Sequence, residues 1–152
     1  MTTLLSPKAI KLRAEDADDL KIISACLQDA IVPLPEVGYL PDARTFVMVV
    51  NRFKWERVGE GGSAPYQRTN CAVSVLGVTA VRRRRIDLLN PATVLNLLTI
   101  TPSDEGLDLI FAGDSAIHLT APHWRCLVED IGEPWPTAKV PHHPAEEAET
   151  GA

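Results

Sequence analysis

A chain of 152 residues, 45% of them hydrophobic, is long enough to bury one core and gives no reason to expect a second. Its 15 Lys and Arg stand against 20 Asp and Glu, and the net charge of -5 argues against a generic polyanion binder. Cys26, Cys71 and Cys126 are odd in number and form no CxxC pair, so neither a disulfide framework nor a zinc ribbon is indicated.

After a polar start, Ala9 to Arg13 alternates apolar and basic residues and predicts a short strand. The acids from Glu15 to Asp19 suit a helix N-terminus, where unpaired N–H groups and the positive end of the dipole favour negative charge. A metal site is the competing reading of that cluster. Leu20, Ile23, Leu27 and Ala30 then follow helical spacing, and Pro33 stops the pattern.

Val37 to Leu40 and Thr45 to Val50 flank Pro41-Asp42-Ala43 and predict a hairpin. Its second arm continues to Arg57, with Phe53 and Trp55 on one face and Arg52, Lys54 and Glu56 on the other, half exposed. Cations alternating with aromatics can hold a nucleic acid, although a core role for both rings is the simpler reading. Gly59 to Asn70 predicts a loop. Its glycines lack the Gly-Lys-Ser/Thr of a phosphate loop.

Cys71 to Ile86 reads as one long central strand, apolar on both faces and ending in Arg82, Arg83, Arg84 and Arg85. A covered strand cannot bury unpaired guanidinium groups, so this end should project into water. Charge is unevenly placed: from Arg44 to Arg85 nine basic residues face Glu56 and Glu60, a local balance of +7 that leaves -12 for the rest. Such a split points to an anionic partner or to self-association.

Asp87 to Thr93 predicts turns, and Val94 to Ile100 a strand. Leu107 to Phe111 and Ala116 to Thr120 bracket Gly113-Asp114 as a hairpin, with His118 on its outer face. Pro122 opens a predicted helix carrying Trp124, Leu127, Val128 and Ile131, stopped by Gly132. Glu133 to Pro136 should form a rigid exit, followed by a disordered acidic tail. His142 and His143 in that tail are weak metal candidates.

The expected architecture is α+β: a strongly bent antiparallel sheet or partial barrel of about seven strands, one helix in the N-terminal half and a C-terminal capping helix. The expected boundaries are a flexible segment 1–7, one domain 8–136 and the tail 137–152. This element order resembles pleckstrin-homology-like folds, which also end in a capping helix. The stretches Lys11 to Leu20, Ile23 to Ala30, Asn51 to Glu56 and Glu129 to Pro136 carry a closer resemblance, to an uncharacterised alphaproteobacterial family, a domain of unknown function. That resemblance implies a single bacterial domain and no particular chemistry.

The functional expectation is a non-catalytic interaction protein that meets an acidic protein surface, or another copy of itself, through Arg52, Lys54, Arg57, Arg82, Arg83, Arg84 and Arg85. A nucleic-acid-binding protein is the alternative, and a small hydrolase or other enzyme the third reading. His118 and His123 join no nucleophile motif, and Cys71 and Cys126 look like core residues. No cofactor, metal or membrane contact is expected. The chain lacks a signal-peptide pattern and any ~18-residue apolar run, so the expected location is the cytoplasm.

Overall fold

The computed structural model describes residues 9–57 and 66–141. The expected segment 1–7, the stretch Gly59 to Gly62, His142, His143 and most of the tail lie outside the described residues. The strands are β1 (Lys11–Ala14), β2 (Ala30–Pro33), β3 (Val37–Leu40), β4 (Thr45–Phe53), β5 (Tyr66–Leu76), β6 (Ala80–Arg84), β7 (Val94–Pro102), β8 (Gly106–Phe111), β9 (Ser115–Thr120) and β10 (Arg125–Thr137). Among the described residues one α-helix, α1 (Ala17–Cys26), sits between β1 and β2.

The strands make one open antiparallel sheet in the order β1-β10-β5-β4-β2-β7-β8-β9-β6, with β3 paired to the first half of β4. Strand number, openness and the missing capping helix correct the expected α+β class and partial barrel: the described chain is mostly one large sheet with a single α-helix. They also remove the ground for the pleckstrin-homology resemblance, which rested on an element order ending in that helix.

The acidic cluster has a structural use. Asp16 is the N-cap of α1, and its side chain accepts the Asp19 N–H at 2.8 Å, so one orphan donor of the first turn is satisfied. Leu20 and Ile23 face the core, and Ser24 Oγ lies 2.9 Å from Thr99 Oγ1 and accepts the Ile100 N–H, fastening α1 across β7. The helix ends before the predicted stop. Asp29 adopts φ 62 and reverses the chain, so Ala30 and Val32 enter the core from β2 instead.

Two other elements differ from expectation for identifiable reasons. The stretch Cys71 to Ile86 is two strands, because Gly77 at φ 84 breaks it. β5 lies between β10 and β4, whereas β6 is an edge strand paired with β9. The predicted C-terminal helix is β10, in which Cys126 and Val128 are buried and Arg125 and Glu129 are exposed. That alternation has a period of two, and ladders to β5 and β1 hold it extended. The strand runs through the predicted rigid exit to Thr137.

Candidate functional site

Among the described residues β3 is paired only with β4, and β6 only with β9. These two free edges flank the opening of the sheet. They are tied together at one end, where Tyr39 Oη donates to the Val78 carbonyl at 2.6 Å and the Val78 N–H donates to the Arg44 carbonyl at 2.8 Å. Between them lies a groove of about 550 Å³. Phe46, Ile86 and Ile117 contribute buried apolar surface, with Val37 and Tyr39 on one wall and Val81 on the other.

The groove has one charged lining residue, Arg83. Alternation along β6 sends Val81 and Arg83 to the groove side and Arg82 and Arg84 to the opposite face. Arg82 lies 3.5 Å from Glu105, Arg84 3.2 Å from Asp114, and Arg85 3.4 Å from the same aspartate. All three stay exposed, and pairs of that kind contribute only about 0–1 kcal/mol each. Arg83 makes no ion pair or side-chain hydrogen bond with any described residue. The four arginines are therefore not one surface: three meet the molecule's own acids and one stands at the mouth of an apolar groove.

Arg52 and Lys54 do not belong to any rim. Phe46, Met48 and Val50 point inward along β4, and the same alternation carries Arg52 inward with them, at 0% exposure. Its guanidinium is bound by two carboxylates. Nε donates to Asp130 Oδ1 at 2.8 Å and Nη2 to Asp130 Oδ2 at 2.8 Å; Nη1 and Nη2 reach Glu56 at 3.0 and 2.7 Å. Lys54 is also buried, 3.7 Å from Glu56. A turn of 3-10 helix, Trp55–Arg57, brings Glu56 back over Arg52. The expected half-exposed cationic face is thus an internal ionic network, because a buried guanidinium needs partners on every side. Of Arg57 only the backbone, in that turn, is described.

Burial works to raise the Asp130 and Glu56 carboxyls, but the Arg52 donors outweigh it and hold both below the usual carboxylate range; the Ile10 N–H helps at Asp130. Burial pushes the Cys71 thiol, opposite Asp130 in the ladder, up to about 12, and Cys126 likewise. Both cysteines are protonated core residues, poor nucleophiles at neutral pH.

The aromatic pair folds onto the same end of the sheet. Phe53 and Trp55 stack edge to face at 4.7 Å between centroids, and Trp55 Nε1 donates to the Gln28 carbonyl at 3.0 Å. His118 faces outward as expected, with Nδ1 2.8 Å from Asp108 Oδ1. That pair lines a cleft of about 230 Å³ with Arg82, Ser103 and Glu105, and no cysteine reaches it. Among the described residues no three His, Cys, Asp or Glu side chains gather so as to hold a metal ion.

Sequence reasoning missed the groove because its walls come from stretches some forty residues apart, brought together by the sheet's curl and by the hydrogen bonds at Val78. One local signal was present, two adjacent leucines in a turn: Leu88 and Leu89 are 52% and 93% exposed and Leu88 lines the groove, which suits a contact surface. It missed Asp130 for the same reason as the helix, since only a strand places that carboxylate beside Arg52.

Residues 10–143 match the family described as protein of unknown function (DUF2948), which spans nearly the whole described chain. No curated protein and no solved structure matches it. The chain belongs to this DUF2948 family, whose description assigns no activity.

Proposed function

We propose that the protein is a non-catalytic interaction module that holds an acidic polypeptide segment in the groove between β3 and β6. The observation that carries this reading is Arg83, an arginine with no acid of its own at the mouth of an otherwise uncharged apolar groove. A guanidinium in that setting matches a carboxylate in two-point geometry, and the surrounding apolar surface supplies the binding energy that an exposed ion pair lacks. A partner of this kind is mainly apolar with one acidic residue in reach of Arg83. A nucleic acid would need a track of cations, and Arg52 and Lys54 are buried. Three cysteines outside any disulfide suit a reducing bacterial cytoplasm.

Selection of a displayed random peptide library on the folded protein tests the reading. Enriched sequences should combine Asp or Glu with large apolar residues. Their binding should fall about tenfold, or 1.4 kcal/mol, on Arg83→Glu and hold on Arg125→Glu, which changes an arginine outside the groove lining. Enrichment without acidic residues, or binding indifferent to Arg83→Glu, would remove the proposal.

A further inference from the structure

We infer that the occupant of the groove binds as an added β-strand along β6, presenting apolar residues and one acid for Arg83 inward and further acidic residues outward. This inference rests on the groove reading above and specifies how the partner sits there.

An edge strand leaves the N–H and C=O of alternate residues without a ladder partner. β6 is such an edge for five residues, Ala80–Arg84, and β3 is the facing edge for four. Both edges border the same groove, and Gly38 on β3 has little beside it: a Cβ built there would meet only Val47, at 3.8 Å. An extended segment laid against β6 would extend the sheet into its own opening, gaining main-chain hydrogen bonds in the manner of strand addition.

Side-chain alternation then dictates what the segment must carry. Residues that point inward meet Val81, Phe46 and Ile117, and one reaches Arg83. Residues that point outward stand beside Arg82 and Arg84, whose present partners Glu105 and Asp114 are exposed and 3.5 and 3.2 Å away. Carboxylates on the added strand would take cross-strand positions next to both guanidinium groups. Arg82, Arg83 and Arg84 thus acquire two distinct uses, one inside the groove and one on its outer face. The partner is an extended acidic segment of period two, about as long as β6.

The test uses the intact protein and capped peptides alternating valine with glutamate, with one groove-facing valine replaced by glutamate to meet Arg83. Binding should slow amide hydrogen exchange within Ala80–Arg84, and N-methylation should abolish binding only at alternate peptide positions. Changing both Arg82→Glu and Arg84→Glu should weaken the glutamate peptide by ~2–5-fold for each pair and favour the matching valine-lysine peptide, a rescue that a misfolded variant could not give. Peptide that binds through Arg83 without slowing β6 exchange, or that tolerates N-methylation everywhere, overturns strand addition while leaving the groove reading intact. If neither these peptides nor any library sequence binds, both readings fall together.

Discussion

Arg52 is held by four hydrogen bonds from its side chain to two carboxylates, and its removal would leave Asp130 buried without its cation. Breaking one side of such a pair costs far more than the pair contributes over an apolar replacement. Arg52→Ala should therefore lower stability at pH 7 by about 3–5 kcal/mol, measured as a shift of the urea midpoint. An unchanged midpoint would mean the network contributes nothing. The pH dependence has a definite sign. Asp130 and Glu56 have folded pKa values below their unfolded ones, so their contribution is complete only above about pH 5, where unfolded carboxylates are ionised. It is lost as pH falls through the folded values. The wild-type midpoint should drop on acidification more steeply than that of Asp130→Asn; parallel curves would remove Asp130 from the linkage.

At the scale of elements, Gly77 decides where the chain's most apolar stretch divides. Its φ of 84 is a conformation that costs a side chain energy, and a Cβ there would lie 2.9 Å from the His123 carbonyl oxygen. Gly77→Ala should destabilise the fold by ~1–3 kcal/mol, read by thermal or urea unfolding, and an alanine variant of wild-type stability would show that the junction yields easily. Nothing local announced this break, since a glycine inside an apolar run also fits a continuous strand. Elements whose signals are local were legible: the Asp16 cap and the α1 stripe, and the β8–β9 turn, where Gly113 and Asp114 both take positive φ. The segment after Pro122 misled because Trp124, Leu127, Val128 and Ile131 fit a helical stripe as well as they fit β10. Pairing with β5, more than fifty residues earlier, settled the matter. The candidate site shared that fate: Arg83 was legible as an exposed arginine, but neither its groove nor the inward turn of Arg52 could be read without the register.

Taken whole, the molecule carries an open sheet whose β6 edge a second chain could mistake for a partner, and its edge residues bear on that hazard. Unpaired N–H and C=O groups along an apolar edge template association, and charged side chains are a common defence. Arg82 and Arg84 lie on the outer face of β6, and both are exposed. The same side chains would thus deter another β6, whose arginines repel them, and accept an acidic strand, whose carboxylates do not. Specificity of this form needs the repulsive element as much as the attractive one. Replacing both by valine raises β propensity and removes the repulsion together. The Arg82→Val and Arg84→Val double variant should associate with itself as concentration rises, beyond the wild-type protein in the same buffer, as measured by sedimentation velocity. Equal sedimentation of the two proteins across that range would show that the arginines do not guard the edge.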